Sequence, residues 1–215
     1  MNSDRTNTAI SQSDLVARVC ALAPLFASHA EQAERNRCPA DEVMQAVADS
    51  GAYRYFVPKR YGGHEFDLTG FMQIGLALGK SCLSSAWVTT FCMEHNWLLA
   101  LFDQPAQDDL FSKSGYIVAP GALAPNGVAA PVERGFSLSG RWQWGTGVMH
   151  ADWVLLGAII PGDVPQMGMF ALPIEDVSVL DTWHVAGMVG TGSNDIEATE
   201  VFVPEHRMVN LAAIR

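Results

Sequence analysis

Basic residues are scarce in this chain. Its 215 residues include 23 Asp and Glu but only 13 Lys and Arg, a formal charge of −10. A nucleic-acid or anionic-membrane partner needs clustered Lys and Arg and is not expected. Long apolar runs are also missing. The longest uncharged stretch, Ser114 to Val132, carries three Pro and three Gly, a composition unsuited to a spanning helix. The N-terminus, MNSDRTNTAISQSD, has no apolar export segment. Four cysteines (Cys20, Cys38, Cys82, Cys92) form no CxxC pair. Reduced thiols and a cytoplasmic location are therefore expected. The six histidines show neither HxH nor HExxH spacing, so no metal is expected, and there is no GxSxG elbow, P-loop or GxGxxG.

What is present divides into two textures. Up to about residue 114 the pattern is helical. Leu15, Val16, Val19, Leu22, Ala23, Phe26 and Ala30 make one helical stripe, capped by Ser13 or Asp14. Further helices are predicted over Asp41–Asp49, Leu68–Lys80, Leu83–Phe102 and Gln107–Lys113. From residue 115 short β-rich runs alternate with Pro and Gly. They are Tyr116–Ala119, Phe136–Trp144, Trp153–Ile160, Met167–Leu172, Val177–Leu180 and Ile196–Val203. Helices followed by strands indicate an α+β chain, with an all-α domain over 1–114 and a β-barrel or sandwich over 115–215.

Three segments have chemical potential. Trp87, Phe91 and His95 recur every four residues and share one helix face. A histidine ending an aromatic ribbon can exchange a proton with a planar substrate, or be a core residue bonded to a carbonyl. Trp142 and Trp144, followed by Gly145-Thr146-Gly147, set a flat apolar wall beside a hydroxyl and open backbone, with a donor for the polar edge of an isoalloxazine ring; a Gly-flanked turn reads the same way. The Gly-rich run Trp183–Asp195 precedes a strand-like segment instead of the helix that nucleotide motifs require. Its amides face an anion or flavin edge, or it is a tight loop.

Together these segments resemble the acyl-CoA dehydrogenase superfamily, specifically the oxygenase components of two-component, reduced-flavin-dependent aromatic hydroxylases. The resemblance rests on Val57-Pro58-Lys59-Arg60-Tyr61-Gly62-Gly63, Ser84-Ser85-Ala86-Trp87-Val88, His95-Asn96-Trp97, Ser139-Gly140-Arg141-Trp142 and His150-Ala151-Asp152-Trp153-Val154-Leu155-Leu156-Gly157. It continues through Asp181-Thr182-Trp183-His184-Val185, Gly190-Thr191-Gly192-Ser193 and Val203-Pro204-Glu205-His206-Arg207. It implies a helical domain, then an antiparallel β-barrel, then a C-terminal four-helix domain that is expected to be absent after Arg215.

It also implies reduced FMN or FAD supplied by a flavin reductase, no metal, O2 and an aromatic or polycyclic substrate, and a homotetramer for the full-length family. Hydroxylation would proceed through a C4a-hydroperoxyflavin. His95 matches the histidine that contacts a phenolic oxygen, and Trp87, with Phe91, belongs to the substrate pocket. Thr146 matches a hydroxyl residue beside flavin N5, with Trp144 the neighbouring aromatic. Gly121 falls where some members carry a substrate-side serine. The TEP and GSD signature of the thioester dehydrogenases is missing from Ala119–Val128, which reads APGALAPNGV and favours the hydroxylase branch. The alternatives are an acyl-CoA dehydrogenase-type enzyme and a non-catalytic truncated remnant.

Overall fold

The structure, a computed structural model, describes residues 10–211. The first helical stripe is divided among three helices rather than one: α1 (Gln12–Cys20), α2 (Ala23–Ser28) and α3 (Ala30–Asn36). The break follows from Pro24, which has no N–H to continue the α1 ladder and sits in the first turn of a new helix. The N-cap is Ser11, whose hydroxyl accepts from the Asp14 amide, and not Ser13 or Asp14. α3 stops at Arg37, which is left-handed at φ 54°.

α4 (Asp41–Ser50) ends at Gly51, where φ of 87° suits glycine. α5 (Leu68–Gly79) is capped by Asp67, and α6 (Leu83–Leu99) is the longest helix described. α7 (Gln104–Phe111) begins three residues before the expected Gln107, because Pro105 occupies its first turn.

The strands are β1 (Gly121–Val132), β2 (Gly135–Trp142), β3 (Trp153–Ile160), β4 (Gln166–Pro173), β5 (Ser178–Leu180), β6 (Asp195–Pro204) and β7 (Met208–Asn210). They form one sheet in the order β5-β6-β2-β1-β3-β4-β7. The α+β class holds. The sheet is mixed, however: β1 and β3 run parallel, and the other pairs are antiparallel. β1 escaped the sequence pattern because Pro125 and Pro131 interrupt it and its register slips between Ala122 and Gly127. Gly127 is required there, since any Cβ would strike the Trp142 ring. Trp142 itself is fully buried and donates from Nε1 to the Gly157 carbonyl at 2.6 Å.

The expected strand Tyr116–Ala119 is an extended connector. Side chains take up its polar groups. The Asn96 carboxamide donates to Ile117 O (2.9 Å) and accepts from Ile117 N (2.9 Å), while Asp152 accepts from Val118 N (3.1 Å). One core lies among the helices and a second inside the sheet. A third joins them, with Leu99, Phe102, Leu110 and Phe111 from the helices packed with Leu155, Met169 and Ala171 of β3 and β4. No described helix is long and apolar enough to cross a membrane.

Candidate active site

α6 is apolar on most sides and sends Ala86, Val88, Cys92 and Met93 into the helical core, which fixes the directions of its other faces. Trp87, Phe91 and His95 do form a continuous ribbon. The Trp87 and Phe91 rings stack at 5.7 Å, and Phe91 meets His95 at 4.2 Å. The ribbon runs inward from solvent, from Trp87 at 48% exposed to His95 at 2%. Beside its outer end lies a cavity of about 350 Å³, lined among others by Phe71, Leu76, Trp87, Phe91 and Glu94. Burial pushes the Glu94 carboxyl above its ordinary range.

His95 Nδ1 lies 2.5 Å from the Ala119 carbonyl. A carbonyl only accepts, so Nδ1 carries the proton and Nε2 presents a lone pair. Burial lowers the imidazole to about 4, with the Ala119 bond opposing that shift. The ring is therefore neutral at physiological pH. Gly121 lies against it. A Cβ built there would sit 2.8 Å from Cε1 and 3.0 Å from Nε2, so a side chain at 121 and this imidazole position exclude one another. The core-histidine and proton-exchange readings are thus both partly met, by one carbonyl bond and one free lone pair.

Thr146 lies on the loop between β2 and β3. That loop packs on α6, and a Cβ at Gly147 would meet Val88 at 2.9 Å and Cys92 Sγ at 3.4 Å. Gly147 has φ of 82°, which keeps this approach open to glycine. Burial pushes the Cys92 thiol up to about 12. Trp144 lies beyond the end of β2, left-handed at φ 68° and 64% exposed, so the two tryptophans divide into one core residue and one surface wall. Trp144 makes no ring contact with the α6 ribbon.

The backbone around Thr146 is closed rather than open. Gly145 N donates to Asn194 O, Thr146 N to Trp144 O and Gly147 N to Thr191 O. The Thr146 hydroxyl is 2.9 Å from that of Ser193, which is 2.8 Å from that of Thr191. The Gly-rich run brings those two residues in by docking on α3: Gly190 abuts Ala33, and Gly192, at φ 58°, abuts the Arg37 carbonyl. Arg37 fastens the loop from its other side through Asp181 (2.5 and 3.0 Å).

Asn96, Asp152, Thr191 and Ser193 have roles that spacing did not reveal. In the sequence Asn96 stands out only within His95-Asn96-Trp97, and Ser193 only within Gly190-Thr191-Gly192-Ser193.

No protein-family model matches the chain. It is 40% identical over 200 residues to a pigment production hydroxylase of Rhodococcus sp., covering 92% of this chain and 52% of that protein. It is 34% identical over 199 residues to the oxygenase subunit HsaA, a flavin-dependent monooxygenase of Rhodococcus jostii, with the same shares covered. The solved HsaA structure from M. tuberculosis superposes with a TM-score of 0.92 at 32% identity, over 95% of this chain and 54% of that one. The chain is homologous to flavin-dependent monooxygenase oxygenase subunits. A fourth relative, XiaF from Streptomyces solved with FADH2, gives a TM-score of 0.88 at 32% identity, over 93% of this chain and 51% of that one. The chain spans about half the length of the relatives it matches. The hydroxylase branch expected from the missing TEP and GSD pattern is the one these homologues occupy.

A flavin ring suits the residues present. It is planar with one polar edge, and the exposed Trp144 indole stands two residues from a buried hydroxyl. Among the described residues the arginines of this side, Arg141 and Arg37, are paired with Asp195 and Asp181.

Proposed function

We propose that the chain is the flavin- and substrate-facing part of the oxygenase component of a two-component monooxygenase that hydroxylates a phenolic or polycyclic aromatic compound. The carrying observation is the neutral His95, with its proton held by Ala119 O and its Nε2 lone pair unused. That lone pair accepts a hydrogen bond from a phenolic O–H, which polarises the oxygen and makes the ring carbon more nucleophilic. Trp87 and Phe91 stack on the ring, and Gly121 leaves the imidazole edge uncovered for it.

Trp144 and Thr146 hold the flavin, FMN or FAD, which supplies the oxygen-activating chemistry when reduced by a separate reductase. The Thr146 hydroxyl itself is buried, at 6% exposure, which keeps bulk water from it. The unit boundary lies near residues 114–115. The exposed apolar face of Leu68, Met72, Leu76 and Leu83 is the seat of the further helical domain and tetramer contacts that the resemblance implies. The enzyme works in the cytoplasm, where its four free cysteines stay reduced.

The test supplies the protein with reduced flavin and a phenol. His95→Ala should lower hydroxylated product well beyond any change in oxygen consumption, the remainder appearing as hydrogen peroxide. Unchanged product yield overturns the assignment of His95.

A further inference from the structure

Three buried hydroxyls can be joined in only one direction. Thr191 Oγ1 is 3.0 Å from the Met188 carbonyl, which only accepts. The single Thr191 proton is therefore spent there. The 2.8 Å bond between Thr191 and Ser193 must then use the Ser193 proton. The 2.9 Å bond between Ser193 and Thr146 must use the Thr146 proton. All three bonds coexist in no other arrangement. The residues are 6%, 3% and 2% exposed (Thr146, Ser193, Thr191), so water does not compete for these protons. The far end is anchored, since Met188 O also accepts from Trp183 Nε1 at 3.2 Å. The amides of Gly145, Thr146 and Gly147 are bonded within the loops as well.

We infer that this one-way chain makes Thr146 an acceptor without a proton to give, and that Ser193 and Thr191 are thereby the residues that tune Thr146 to the reduced flavin the resemblance implies. The inference rests on the flavin reading above and deepens it. With N5 beside Thr146, as the resemblance implies, reduced isoalloxazine would present N5–H, a donor, to the Thr146 lone pairs. Oxidised N5 carries only a lone pair and would face another. Binding it requires Thr146 to turn its proton outward and leave Ser193 unbonded. Ser193 and Thr191 are positioning residues in this scheme, since they act through Thr146. The donor expected beside Gly145-Thr146-Gly147 is replaced by an acceptor.

The experiment measures dissociation constants for FAD and FADH2, and separately FMN and FMNH2, anaerobically with the full chain. The wild type should prefer the reduced form. Ser193→Ala and Thr191→Val each free the Thr146 proton and should shrink that preference about tenfold, the size of one neutral hydrogen bond. The bound-flavin midpoint should fall by about 30 mV with it. Thr191→Ser, which keeps the hydroxyl, should restore both.

If the wild type binds flavin and neither variant moves the ratio, the chain polarity is wrong and the flavin reading stands. If the wild type binds neither form, both fall. Neutron diffraction of the deuterated wild type checks the polarity without any variant. The Thr146 deuteron should point at Ser193, and any other position overturns the inference.

Discussion

His95 and Thr146 are both buried polar groups, yet they are held in different ways. His95 is carried by a long helix and fixed by one carbonyl, with Asn96 clamping the connector that supplies that carbonyl. Thr146 is carried by a loop and fixed by two further hydroxyls from another loop, itself pinned on α3. The first arrangement holds a titratable group neutral by desolvation. The second holds a neutral group in one orientation by counting protons. The two halves of the site therefore respond to different perturbations, pH on one side and loss of a hydroxyl on the other.

The largest expected effect removes the clamp. Asn96→Ala strands the buried Ile117 N–H and C=O and should cost about 3 kcal/mol in urea unfolding, since each stranded group costs about 1–3 kcal/mol. It should also release His95. A loss below 1 kcal/mol would show that the connector is held by something else.

Next comes pH. The His95 pKa in the folded chain, about 4, lies below its ordinary 6.5. Between those values the unfolded chain takes up a proton that the folded chain does not. Stability is thus fully present above 6.5, falls as pH drops toward 4, and levels off below. Wild type should lose up to about 3 kcal/mol relative to His95→Gln across that window, at 1.36 kcal/mol per pH unit. Parallel pH profiles of the two proteins would break the contrast between the two sides.

Gly121→Ser should displace the imidazole, for about 1–3 kcal/mol of overpacking. It should raise the His95 pKa toward 6.5, read from the imidazole Cε1–H resonance, and leave the Thr146 side untouched.

Thiol labelling probes the other region. Cys92, buried under Gly147 with its thiol pushed up to about 12, should resist reagents that modify the partly exposed Cys20 and Cys38. Its labelling rate then reports opening of the Thr146 loop. The smallest effect belongs to Asp181→Asn, an exposed partner of Arg37. It should leave stability nearly unchanged, with any loss fading in salt.

Much of the helical half is legible from periodicity. The α6 ribbon follows directly from a four-residue spacing, and α4, α5 and β3 lie close to where apolar pattern and flanking Gly or Asp place them. Misreadings cluster where a single backbone rule outweighs the pattern. Pro24 divides a continuous stripe, and Pro125 disguises β1. Tyr116–Ala119 has strand-like composition, but Asn96 and Asp152 bind the backbone groups that a strand would need.

By itself the sequence determined the α+β order of elements, the placing of Trp87, Phe91 and His95 on one face, and the kinship with reduced-flavin hydroxylases. These depend on spacing along the chain, and helix geometry converts spacing into direction. Only the tertiary structure decided which nitrogen of His95 keeps its proton, why residue 121 has no side chain, and which way the Thr146 proton points. Each of these is set by a partner distant in the chain: 24 residues away for Ala119 and His95, 47 for Ser193 and Thr146. Hydrogen-bond polarity is a property of groups brought together in space, and no local pattern encodes it.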